Sequence, residues 1–331
     1  MEFGITFKGD ITPERTVALA RQAEAAGFEY AWFFDSHVLW RDCYTTMAMC
    51  MANTSKLIYG PLVTNPGVRE WSVAASMFAT LAVQSGNRFE VGLGRGDSSR
   101  RVLGKKPMTI ANMVEFAYAI KGMVRGDNVE YDGTEAHFPW ANGYELPVWI
   151  AAYGPKALKA AGEAGDGLVI QLAEPGLVRW FSGQALEAGK AAGRDLSGYK
   201  IMSAAPVWVG DIETARAQTR WFPAMVGNHV ADIVEKYGME SDDIPQSFTR
   251  YIEGRRGYDY HEHADKDAEH LDFITEDIID AFGILGPVDD HIAKLKELEE
   301  SGVSQFNIYL MCGDEERIVE EYGKHIIPQF R

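Results

Sequence analysis

The sequence predicts an α/β protein folded as a closed (β/α)8 TIM barrel with insertions, one domain over residues 1–331. Three observations carry this expectation. Eight apolar, strand-like runs begin near Phe3, Glu29, Lys56, Arg88, Pro147, Gly167, Lys200 and Gln305, and helical periodicity follows each of them. No Gly-rich dinucleotide fingerprint follows the first run, which favours a closed barrel over an open doubly wound sheet. A chain of 331 residues with 46% hydrophobic content can also bury the large core that such a barrel needs.

FGITF at 3–7 is a short apolar strand. PERTVALARQAEAAGF then sets Val17, Leu19, Ala20, Ala23 and Ala26 on a helical stripe that ends at Gly27, with Pro13 suited to the helix start. YAWFFD at 30–35 is the second strand, and 42–54 a helix. The third strand is irregular. In LIYGPLVTNP at 57–66, Leu57, Ile58, Leu62 and Val63 are apolar, yet Gly60 and Pro61 interrupt them. Either this is a loop, or a strand broken where something approaches its backbone.

The alternation continues with the helix WSVAASMFATLAVQSG, the strand NRFEVGLGRG and the long helix MTIANMVEFAYAIKGMVRG. VEYDGTEAHF alternates around Asp132-Gly133, the signature of a hairpin. LPVWIAA, DGLVIQL and KIMSAAPVWV are strands, with the helices GPKALKAAGEAG and GLVRWFSGQALEAGKAAG between them and ETARAQTRWFPAMVGNHVADIVEKYG after them. Residues 238–286 are polar and rich in Asp, Arg, Tyr and His, and read as an insertion or lid. HIAKLKELEESG, VSQFNIYL and EERIVEEYGKHII complete the chain.

Thirty-two basic against 48 acidic residues give a net charge of -16, which repels nucleic acid and anionic membranes. Against that background Arg95, Arg100, Arg101, Lys105 and Lys106 form a basic island suited to an anionic small molecule. No apolar run approaches the length of a membrane span, and MEFGITFKGD has no secretory pattern, so a cytoplasmic location is expected. Cys43, Cys50 and Cys312 have no CxxC spacing and read as buried apolar groups. His261, His263 and His270 match no zinc signature, so no metal is expected.

Active sites of such barrels lie at the carboxyl ends of the strands. That rule selects Asp35, His37, Trp40, Thr64, Asn65, Arg95, Asp97 and Gln171 as a ring around one mouth. Gly154 and Pro155 open a helix whose unbonded amides favour a phosphate, with Lys156 adding charge. Arg255, Arg256 and Tyr258 in the insertion are candidate substrate contacts and point to an anionic or polar substrate.

FGITF, AEAAGFEYAWFFDSH, GPLVTNP, FEVGLGRGD, AYGPKALKAAGEAGDG and LGPVDDHIAKLKELEESGVSQF together carry a resemblance. Over nearly its whole length the chain resembles the luciferase-like superfamily of flavin- and deazaflavin (F420)-dependent oxidoreductases, in a branch similar to methylenetetrahydromethanopterin reductase. The resemblance implies a bulge in the third strand, with a cis peptide at Leu62–Val63 that supports the cofactor ring. It implies acidic site positions at Asp35 and Asp97, an aromatic wall at Trp40 and a phosphate turn at Tyr153 and Gly154, with Ala152 a further cofactor contact. Where the methanopterin reductases carry a glutamate at the end of strand one, this chain has Thr6.

The resemblance leaves two chemistries open. The leading expectation is a reduced-FMN monooxygenase acting on a small polar organic substrate, served by a separate flavin reductase, because the oligoglutamate tail of F420 would have to cross an acidic surface. Hydride transfer with coenzyme F420 is the alternative, and a non-catalytic flavin-binding protein a third reading. His37 and Asp97 are the candidates for proton handling, with Asp35 beside them. A homodimer or higher homo-oligomer is expected.

Overall fold

The computed structural model describes residues 1–237 and 274–331. Its strands are β1 (Glu2–Phe7), β2 (Tyr30–Phe33), β3 (Ile58–Pro61), β4 (Val91–Leu93), β5 (Val129–Tyr131), β6 (Thr134–Ala136), β7 (Val148–Ala151), β8 (Gly167–Ile170), β9 (Lys200–Ala205), β10 (Val207–Val209), β11 (Ile284–Gly286) and β12 (Gln305–Tyr309). Eight form one sheet in the order β3-β2-β1-β12-β9-β8-β7-β4, every pairing parallel. Parallel bridges Tyr59–Phe89 and Thr64–Leu93 join its two edges, so the sheet closes into the expected barrel.

The strands are buried along almost their whole length because helices cover one face and barrel packing the other. Outside, Phe3 packs edge-on against Tyr322 and Phe330. Inside, Trp32 stacks on Tyr30 and meets Trp149 edge-on, and the two indoles donate to Gln305 and Glu90 at 3.0 and 2.6 Å. This aromatic plug explains Gly60: a Cβ there would sit 2.6 Å from the Trp32 ring.

The first helix (Pro13–Ala26) buries Thr16, Leu19, Ala20 and Ala23, so Val17 and Ala26 lie at the margins of the stripe. The hairpin around Asp132-Gly133 forms as β5 and β6. Other segments depart from the sequence reading. KIMSAAPVWV is broken at Pro206, after which β10 leaves the barrel and pairs with β11. The single helix expected from Glu213 is two: one runs Ile212–Thr219 and a second Trp221–Tyr237, because Pro223 has no N–H to return to the preceding turn. The four-residue helix Ser98–Arg101 was not expected.

Of the expected insertion at 238–286, residues 274–286 are scaffold rather than lid. Helix Glu276–Phe282 leads into β11, its Phe282 carbonyl accepts from Ala173 N, and Lys294 Nζ binds the carbonyls of Asp280, Ala281 and Gly283. The remainder, with Arg255, Arg256 and Tyr258, lies outside the described residues.

Candidate active site

A cavity of about 480 Å³ opens at the carboxyl ends of the barrel strands. Its first wall answers the puzzle of the third strand. From Tyr59 to Thr64 this strand advances five positions, while from Phe89 to Leu93 its neighbour advances four, so one residue bulges out. The Leu62–Val63 peptide within the bulge is cis, and both residues line the cavity. Glycines make room for it: a Cβ on Gly92 would lie 2.5 Å from Pro61 O, and one on Gly94 2.8 Å from Val63 Cγ2.

The opposite wall is the start of helix Pro155–Ala164. Gly154 caps it without a side chain and its carbonyl accepts from Ala157 N and Leu158 N at 2.8 and 2.9 Å. The N–H groups of the capping Gly154 and of Lys156 in the first turn have no intrahelical partner, and Pro155 has no N–H to donate. Ala152, Tyr153 and Gly154 all line the cavity. Beside them Gln171 is held between two phenols. Its amide nitrogen donates to Tyr309 OH at 2.5 Å, while Tyr153 OH donates to its Oε1 at 3.3 Å and accepts from its backbone N at 3.0 Å.

Asp35 lines the cavity but is not a free carboxylate. Arg69 grips both oxygens at 2.6 and 3.0 Å, and Oδ2 also accepts from Thr64 Oγ1 at 2.7 Å and Tyr44 OH at 3.2 Å. Burial pushes the Tyr44 phenol well above its usual range, and the Asp35 charge adds to this. Asp97 lines the mouth and pairs with Arg101. Of the basic island, Arg95 and Arg101 line the cavity together with Lys156. Arg100 instead ties the loop together through Gly67 O and Lys106 O, both at 2.8 Å.

The other sequence candidates stand outside the lining. His37 is exposed, and Trp40 packs its ring 5.3 Å from Phe34. Thr64 and Asn65 are buried behind the wall, Asn65 donating to Ser99 Oγ and accepting from Gly67 N, both at 3.0 Å. Arg69 and Tyr309 were missed, although the strand-end rule could have found both. Arg69 follows strand three three residues beyond Pro66, and Tyr309 ends the last strand. Among the described residues no cluster of three metal-ligating side chains exists, and no helix is long and apolar enough to cross a membrane.

Residues 1–305 match the family described as luciferase-like monooxygenase. The chain belongs to the luciferase-like monooxygenase family. It is 29% identical over 343 residues to 5,10-methylenetetrahydromethanopterin reductase of Archaeoglobus fulgidus, covering 100% of both chains. It is 28% identical over 227 residues to the F420-dependent hydroxymycolic acid dehydrogenase of Mycobacterium tuberculosis, covering 63% of each. Among solved structures, the coenzyme F420 dependent tetrahydromethanopterin reductase of Methanopyrus kandleri superposes with a TM-score of 0.77 at 25% identity, covering 100% of this chain and 99% of the other. An F420-dependent secondary alcohol dehydrogenase (TM-score 0.79, 21% identity, 100% and 99% covered) shares the fold. This luciferase-like chain is therefore an oxidoreductase of the flavin and deazaflavin class.

Proposed function

We propose that the enzyme uses coenzyme F420 as a hydride carrier and acts on a small polar organic substrate. The observation that carries this reading is the charge of the mouth. In a chain of net charge -16, Arg95, Arg101 and Lys156 line the cavity against Asp97, which pairs with Arg101, while the buried Asp35 is matched by Arg69, so the lining keeps a positive excess. The acidic surface that favoured FMN in the sequence argument is thus interrupted where an anionic tail would leave the site. Relatives named for F420 across the full chain length or most of it support the same choice.

The cavity fits a flat ring with an anionic chain. Leu62 and Val63, made prominent by Gly92 and Gly94, would support one face of the ring and keep water from it. The amides of Gly154 and Lys156 would bind the phosphate in the field of the helix start. Arg95, Arg101 and Lys156 would hold the acidic tail. When bound, the coenzyme supplies or accepts a hydride at carbon. Asp97 Oδ, paired with Arg101 at the mouth, would take or return the accompanying proton.

Thr6 bears on the substrate. It is fully buried at the barrel end, and its hydroxyl is taken by Asn307 Nδ2. No carboxylic acid therefore stands at that position to protonate a pterin, and we infer a substrate other than tetrahydromethanopterin. Reduced FMN, with a separate flavin reductase as partner, is the second reading and rests on the family description.

Turnover tests the choice. Reduced F420 should be oxidised in the presence of small carbonyl compounds at the same rate with and without dioxygen. Oxygen uptake driven by reduced FMN, with no oxidation of reduced F420, would contradict it.

A further inference from the structure

We propose that Arg69 is a positioning residue that sets the shape of the cofactor wall through Asp35, and that Asp35 is a clamp rather than a general base. The proposal rests on the reading of Leu62–Val63 as that wall. Asp35 and Arg69 expose only 2% and 18% of their side chains. Oδ2 of Asp35 receives three donors, from Arg69, Thr64 and Tyr44, and Oδ1 receives the second arm of Arg69. The guanidinium also lies 4.6 Å over the Tyr44 ring, which fixes its plane.

What this carboxylate grips gives the clamp its function. Thr64 is where pairing between β3 and β4 resumes after the bulge: its N–H donates to Gly92 O at 2.9 Å and its carbonyl accepts from Gly94 N at 2.8 Å. The Thr64 hydroxyl on Asp35 therefore fixes the far end of the bulge, one residue beyond Val63. Arg69 reaches back to the same carboxylate from the end of the loop that leaves the bulge, just before helix Trp71–Ser85. The end of β2, the bulge and its exit loop thus meet at one ion pair. A base needs an oxygen open to substrate, whereas Oδ2 is saturated and Oδ1 is held by a fork that only a guanidinium supplies.

Arg69→Lys keeps the charge and loses the fork, and Thr64→Val removes the opposite contact, so the clamp is tested from both sides. In cofactor-free protein, amide exchange across residues 60–70 should speed up by about tenfold in both variants, while the core amides of β12 hold wild-type protection. Unchanged exchange in both would overturn the clamp. The wild type is then titrated with F420 and with FMN, and both variants should bind whichever it prefers about tenfold more weakly. Asp35→Asn should likewise weaken binding more than it lowers turnover at saturating cofactor. Lost turnover with unchanged affinity would make Asp35 a base and end the proposal. Wild-type protein that binds neither cofactor would sink the functional reading, while the exchange result would still decide the clamp.

Discussion

At the amino-terminal mouth of the barrel lies a cavity of about 700 Å³, larger than the one of about 480 Å³ at the carboxyl-terminal mouth. The larger one is lined by charges that satisfy one another. Lys121 pairs with Asp166 at 2.6 Å, Arg125 with Asp127 and Glu145, Lys200 with Glu2 at 2.7 Å, and Glu90 accepts from Trp149. The smaller one has a bulged strand, glycines that give it room, and a helix start without a side-chain cap. Volume does not distinguish a site here. Among the described residues the difference lies in a helix start and a bulged strand aimed at a ligand, which the carboxyl-terminal mouth offers, as expected of the fold.

This contrast separates variants by what they change. The largest effect on turnover is expected at the mouth: Asp97→Asn should lower kcat by about 100-fold and shift stability by no more than about 1 kcal/mol. His37→Ala, at an exposed position, should cost far less, and equal losses in kcat for the two would show that the cavity has been misjudged. Next comes the helix start. Gly154→Leu places a branched side chain where a Cβ already approaches Ile233 Cδ1 at 3.1 Å. It should weaken cofactor binding by about tenfold, about 1.4 kcal/mol. Wild-type affinity in a titration would remove the phosphate from this turn.

The smallest effect is expected at the other mouth. Burial pushes the Glu90 carboxyl above its usual value of 4.5, with the Trp149 hydrogen bond and Lys200 opposing it. Because its folded value is raised, the stability Glu90 contributes is present below its unfolded value and is lost as pH rises through the folded one. Glu90→Gln should therefore melt higher than wild type at pH 7, and the gain should vanish toward pH 4, with activity unchanged throughout. Lost activity in this folded variant would show that the two mouths are not independent.

Much of the barrel was legible because each strand is an apolar run closed by a turn, and burial on both faces demands such runs. Pro206 and Pro223 were visible but their breaks were not, since an apolar pattern continues through both. The bulge could be suspected from Gly60 and Pro61, yet its size is a property of two strands in register, and β4 had to be in place to count it. The site was less legible for a similar reason. A strand-end rule names the mouth but not the direction of a side chain, which is why His37 emerges exposed. Asp35 and Arg69 lie 34 positions apart, and only the closed barrel brings them together.

The central claim is that the carboxyl-terminal mouth is built for a deazaflavin with an acidic tail. Equilibrium titration of the purified protein with F420 and with FMN tests it most directly, repeated with Arg95 and Arg101 both changed to Gln. The account predicts that F420 binds about tenfold or more tightly than FMN, and that the double variant loses affinity for F420 while its affinity for FMN changes little. Tighter binding of FMN, or an F420 affinity indifferent to both arginines, would contradict it.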